Sequence, residues 1–302
     1  MRSMEVEGAI ERLTSLRQYQ GDGKRAPHKP LLVLLALGQF AQTGSSALSW
    51  SVVEERLQQL LAEFGPPTSA RSGSGAYPFT RLRADGVWQL SRDVPNDSIG
   101  PLVAEPIEGS FTPDIESELR KDPGTVTRAA RRVVEQQFPM TLAPDVLMAV
   151  GLDPSAVLIE QSAPTAQQVK RKRDPQWRRA IIEAWDRSCA FCGYDGAIGG
   201  APAGLEAAHI RWFNFGGPDE LDNGLALCSL HHKLLDRGAL GLSDPETIRV
   251  SRSFSASSDA ARAVYELQGR VLRPRPGTQL PDETHISWHA SEVFKGEPLS
   301  VG

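Results

Sequence analysis

Cys189-Ala-Phe-Cys192 is answered 36 positions later by Cys228-Ser-Leu-His231-His232, and between them lie Leu205-Glu-Ala-Ala-His209-Ile210 and Asn223-Gly-Leu-Ala-Leu. All three cysteines of the 302-residue chain fall in this stretch. A two-residue spacer makes a tight knuckle that aims two ligands at one ion, so Cys189, Cys192, Cys228 and His231 predict a tetrahedral Cys3His zinc site. Four protein ligands saturate the ion, which predicts structural zinc. Three cysteines rule out a disulfide scaffold.

Read outward from the knuckle, the order His209, Asn223, His232 resembles the HNH nucleases and their ββα-metal fold, over Cys189 to Leu242. The resemblance implies that His209, closing the first strand, is the general base. It makes Asn223 the residue that holds the loop and orients His209. It gives His232, opening the helix, a divalent cation, Mg2+ or Mn2+, that stabilises charge on the scissile phosphate. Many members carry Asp just before the first histidine as a metal ligand, and here that position is Ala208. Glu206 shares its strand face and is a candidate substitute, the alternative being that water and the DNA phosphate fill the coordination sphere. Asp236, one helical turn after His232, reads as a solvated or capping acid in preference to the alternative, a residue that orients His232. Lys233, Arg237 and Arg211 are candidate phosphate contacts, and Trp212 follows Arg211 near the strand to be cut.

Upstream, Lys170 to Arg187 holds seven basic and three acidic residues, on a chain whose formal net charge is −4. Lys170-Arg171-Lys172-Arg173, with Arg178 and Arg179, can neutralise phosphates and release counterions. Asp174-Pro175 opens a helix with Trp177, Ile181 and Trp185 on one face. Ser162 to Gln168 has linker composition, which puts the boundary near 165: residues 1–165 form one domain and 166–302 the other. The fold class expected is α+β: a helix-rich N-terminal domain with a small β-hairpin or sheet, then the ββα-metal domain.

In the first domain Val6 to Tyr19 reads as an amphipathic helix. Pro27-His28-Lys29-Pro30 reads as a rigid extended lead into Leu31–Leu37, which is apolar on every side. Ser51 and Glu54 have capping-box spacing ahead of a helix ending at Pro66-Pro67. Asp85-Gly86 signals a hairpin between Tyr77-Pro78-Phe79 and Val87-Trp88-Gln89-Leu90. Ile115–Leu119 and Thr125–Phe138 read as further helices. In the tail, Ala260–Leu267 reads as helix, Arg273-Pro-Arg-Pro as extended, Ile286–His289 as an edge element and His289 as structural.

Pro27-His28-Lys29-Pro30-Leu-Leu-Val-Leu-Leu, followed by Gly75-Ala76-Tyr77-Pro78-Phe79, resembles the sulfur-binding domain of phosphorothioate-dependent restriction endonucleases. That family places the domain ahead of an HNH nuclease. The resemblance implies that Tyr77 and Pro78 contact sulfur, that His28 and Lys29 contact neighbouring backbone or bases, and that Ser74, Gly75 and Ala76 let the phosphate approach closely. Sulfur is a poor hydrogen-bond acceptor, so an apolar cup favours it over an oxygen left without a partner.

No apolar run approaches the ~18 residues of a membrane span, and the N-terminus has no secretory signal. The expectation is a bacterial-type cytoplasmic homodimer that binds phosphorothioate-modified double-stranded DNA and hydrolyses a nearby phosphodiester. Two alternatives stay open on sequence: an HNH endonuclease reading methylated or unmodified DNA, and a catalytically dead, zinc-stabilised DNA-binding protein.

Overall fold

A computed structural model of the chain describes residues 2–18, 23–69, 73–158 and 175–300. The chain divides into two compact units, Met1–Gln161 and Ser162–Gly302. Both mix helices with short antiparallel strands, so the class is α+β. The linker, the expected boundary at 165 and Lys170–Arg173 lie outside the described residues. No helix among the described residues is long and apolar enough to cross a membrane.

The first unit runs α1 (Arg2–Thr14), α2 (His28–Thr43), β1 (Leu48–Ser49), α3 (Trp50–Phe64), α4 (Ala76–Arg81), β2 (Trp88–Leu90), α5 (Ile99–Ala104), β3 (Glu108–Phe111), α6 (Pro113–Lys121), α7 (Gly124–Gln137), α8 (Ala143–Ala149) and α9 (Pro154–Leu158). Helix α2 is the hub. Leu31, Leu32, Leu34 and Leu37 are fully buried, and each contributes about 1.5–3 kcal/mol relative to exposure. An all-round apolar helix needs partners on every side, and α3, α4 and α7 supply them.

Several sequence expectations are corrected here. The Pro27–Pro30 segment is not extended: α2 begins at His28 and takes Pro30 into its first turn, where the missing N–H has no intrahelical partner anyway. Helix α3 begins before Ser51, with Ser49 as N-cap and no side-chain capping bond; the Ser51 hydroxyl lies 3.1 Å from that of Ser49. Asp85-Gly86 turns no hairpin. Tyr77-Pro78-Phe79 is helical, Leu82–Asp85 adds a 3-10 turn, and Gly86 ends it in the left-handed region at φ 71°. Strand β2 pairs with β3, in a sheet of order β1-β3-β2.

The second unit runs α10 (Pro175–Ala184), β4 (Ala197–Ile198), β5 (Ala201–Pro202), β6 (Leu205–His209), β7 (Gly224–Cys228), α11 (Ser229–Asp236), β8 (Leu240–Leu242), β9 (Ile248–Val250), α12 (Asp259–Tyr265) and α13 (Glu283–Glu292). Strands β6 and β7 are antiparallel, from Leu205 opposite Cys228 to His209 opposite Gly224, and α11 follows β7 without a connecting residue. This β6–β7–α11 unit carries the site. Its core joins Trp177, Ile181 and Trp185 to Ala208, Leu225, Leu227 and Leu235. In the tail, Ile286–His289 is not an edge element but the middle of α13, whose N-cap Asp282 accepts from the Thr284 amide at 2.7 Å. His289 is buried, its Nε2 donating to the Leu235 carbonyl at 3.0 Å.

Candidate metal knuckle and nuclease site

The knuckle assembles at the junction of β7 and α11. The ligand atoms of Cys189, Cys192, Cys228 and His231 all lie within 4.8 Å of one another. His231 Nδ1 is 3.5 Å from Cys189 Sγ and 3.3 Å from Cys228 Sγ. A tetrahedral ion with bonds of 2.0–2.3 Å holds its ligand atoms roughly 3.5 Å apart, so the donor set and its spacing fit a metal ion. The hydrogen bond from Cys228 chiefly pulls the Cys189 thiol down to about 3, and the same contact pushes Cys228 up. Thiols this close compete for protons that a bound cation would displace.

His209 closes β6 and turns towards α10. Its ring stacks on Trp177 at 3.9 Å and 15°, with Phe213 at 5.8 Å. Its Nε2 lies 2.8 Å from Asp219 Oδ1. Gly224, its cross-strand partner, has no room for a side chain: a Cβ there would stand 2.1 Å from Ile181. Asn223 is fully buried and spent on the loop. Its Oδ1 accepts from the Arg211 amide at 2.8 Å, and its Nδ2 donates to the carbonyls of Arg211 and Pro218 at 3.1 and 3.0 Å. One amide therefore closes the loop between the strands.

His232 sits on the first turn of α11. Its Nδ1 is 2.7 Å from Glu206 Oε2, and its Nε2 is 3.4 Å from Asp236 Oδ2. Ser229 Oγ donates to the other Glu206 oxygen at 2.7 Å. The hydrogen bond with His232 holds the Glu206 carboxyl below its ordinary range. Glu206, not Ala208, thus brings an acid to His232. Asp236 corrects the sequence reading: its side chain is 2% exposed, so it is a buried neighbour of His232 and not a solvated acid. Arg211 is used internally, its Nε donating to the Phe215 carbonyl at 2.9 Å. Lys233 is half-buried on α11. Arg178 Nη2 donates to the Leu205 carbonyl at 3.0 Å, and Arg179 pairs with Glu183. Asp219 and Trp177's stacking role carried no signal in the sequence, because both depend on the path of the loop.

In the first unit, α2 and α4 bring His28 and Tyr77 together, edge to face at 6.3 Å. Tyr77 is 41% exposed, while Ala76, Pro78 and Phe79 are buried beneath it. Arg81 lies 5.5 Å over the Tyr77 ring and is gripped by both carboxylate oxygens of Asp97. Burial pushes the His28 imidazole pKa down, against a hydrogen bond with the Ser69 backbone. Ser74 Oγ is covered and finds no partner among the described residues. Gly75 is buried, with a built Cβ 3.5 Å from Glu54 Cα. Lys29 corrects the sequence expectation of a DNA contact: it is buried, bonded to Asp85 and to the Arg17 carbonyl.

Residues 6–155 match the family described as the ScoMcrA-like DNA sulfur-binding domain, and residues 189–243 match the HNH endonuclease family. The chain therefore joins a domain of the DNA sulfur-binding family to a domain of the HNH endonuclease family. Among solved structures it is similar to the sulfur-binding and SRA domains of ScoMcrA complexed with phosphorothioated DNA, at 20% identity over 65% of this chain and 58% of that one, TM-score 0.44. It is also similar to the sulfur-binding domain of SprMcrA complexed with phosphorothioated DNA (19%, 50% and 97%, 0.41). A third is the Type IV phosphorothioation-dependent restriction endonuclease ScoMcrA (23%, 57% and 33%, 0.38). No curated protein matches the chain.

Proposed function

We propose that this chain is a type IV restriction enzyme: its first unit binds phosphorothioated DNA and its second hydrolyses a phosphodiester nearby. The observation that carries the reading is the co-occurrence, in one chain, of a sulfur-binding domain and an HNH domain whose histidine, asparagine and histidine stand on β6, the loop and α11. Zinc in the knuckle would be structural, since Cys189, Cys192, Cys228 and His231 complete its coordination. Glu206 and His232, with Asp236 beside His232, would supply the oxygen and nitrogen donors of a Mg2+ or Mn2+ site. A divalent ion there would offset charge on the phosphate and on the departing oxygen.

The chain's own residues do the rest. His209 takes a proton from water as the water oxygen bonds to phosphorus, and the P–O3′ bond breaks with its electron pair leaving on O3′, which solvent protonates. Asn223 holds the loop that shapes this end of the hairpin. In the first unit the exposed ring of Tyr77, set by His28 and Arg81, offers sulfur an apolar face over buried Pro78 and Ala76, and Ser74 and Gly75 border it. One HNH site cuts one strand, so a double-strand break calls for two copies, and a homodimer is the proposed assembly.

His209→Ala tests the nuclease half. The general base contributes about 10²–10⁴-fold in rate. The variant is expected to lose that much cleavage of modified plasmid in Mn2+ while keeping its zinc and its affinity for modified duplex. Cleavage equal to the wild type removes His209 from the mechanism.

A further inference from the structure

We infer that Asp219 is the positioning residue of the His209 base, an inference that rests on the nuclease reading above. Asp219 Oδ1 lies 2.8 Å from His209 Nε2, and the two side chains are 14% and 10% exposed, so water competes little for the bond. A carboxylate oxygen only accepts, so Nε2 carries the hydrogen and the ring's lone pair sits on Nδ1. That is the tautomer able to receive a proton at Nδ1. The charge that appears on the ring as water is deprotonated then develops beside a carboxylate already in place. No proton passes to Asp219.

The local backbone shows that this contact is built and not incidental. Asp219 is bracketed by two side-chain hydrogen bonds to its neighbours. Asn223 Nδ2 donates to the Pro218 carbonyl at 3.0 Å, and Trp177 Nε1 donates to the Glu220 carbonyl at 2.9 Å. The same Trp177 stacks on the His209 ring, so one indole fixes both the ring plane and the backbone after Asp219. Gly217 completes the brace: a Cβ there would stand 1.8 Å from the Arg211 carbonyl oxygen and 2.8 Å from Asn223 Nδ2, so the loop passes too closely for any side chain. The asparagine of the motif thus acts on His209 through Asp219, by setting the carbonyl before it. Burying a carboxylate this far is costly unless it is hydrogen-bonded, and His209 Nε2 provides such a bond.

The test compares full-length Asp219→Asn, Asp219→Glu, His209→Ala and the His209→Ala/Asp219→Asn double variant. The readouts are single-turnover cleavage of phosphorothioated duplex in Mn2+, affinity for that duplex, zinc content and melting. Asp219→Asn is expected to slow cleavage by roughly 10²–10⁴-fold, the range for losing a base and its orientation, with affinity and zinc unchanged. Asp219→Glu should recover part of the rate, and Asp219→Asn should cost nothing further on His209→Ala. The inference is overturned if Asp219→Asn cleaves within threefold of wild type, if its loss is undiminished on His209→Ala, or if both Asp219 variants lose zinc or fold, which makes the residue structural. Full cleavage by His209→Ala removes His209 as the base, the reading on which this inference rests; a dead His209→Ala beside a fully active Asp219→Asn overturns this inference alone.

Discussion

Lys29 and Asp85 meet under α2 with side chains 6% and 2% exposed, and the ammonium also donates to the Arg17 carbonyl. A buried pair of this kind adds little over apolar residues of similar size, but removing one partner strands the other charge. Lys29→Ala should therefore lower the stability of the first unit by about 3–5 kcal/mol in urea titration, and Lys29→Met with Asp85→Leu should recover most of it. A Lys29→Ala variant of unchanged stability but weakened DNA affinity would return this residue to the DNA. Legibility at this scale follows sequence separation. The cysteines, His209, Asn223 and His232 announce themselves by type and spacing. Their partners do not: Glu206 reaches His232 from 26 positions away and Asp219 reaches His209 from 10, through a loop path that no local pattern encodes.

Helix α11 has eight residues, too few to be stable alone. Two knuckle residues, Cys228 and His231, stand at its start, so a metal bound there would fix both the helix and the strand that feeds it. Structural zinc supplies about 10–16 kcal/mol in small knuckles. Stripping it with a chelator, or making Cys228→Ser, should melt the second unit and abolish cleavage while sparing duplex binding by the first, as followed by calorimetry and gel shift. An unchanged melting profile after zinc loss would contradict this. Elements with a clear period, such as α3, α7 and α10, are readable from sequence. Those that failed lacked one. Ala76–Arg81 carries a proline and an aromatic pair that suggest a loop, yet it closes helical bonds, and Thr80 Oγ returns to the Ala76 carbonyl at 2.7 Å. Ile286-Ser-Trp-His289 alternates like a strand, but the Asp282 cap and burial of Ile286, Trp288 and His289 make it a helix.

At the scale of the whole molecule, the proposed function divides recognition and chemistry between the two units. The first unit is net acidic, with 16 basic against 20 acidic residues over 1–161, which suits the proposed recognition through a small site around Tyr77 better than a broad phosphate footprint. The central claim is that sulfur on the backbone licenses the cut. One duplex, prepared with and without a single stereodefined phosphorothioate and with a methylated third form, is incubated with the full chain and Mn2+, and strand scission is followed over time. The account predicts scission of the phosphorothioate duplex and intact methylated and plain duplexes. Equal scission of all three would contradict it.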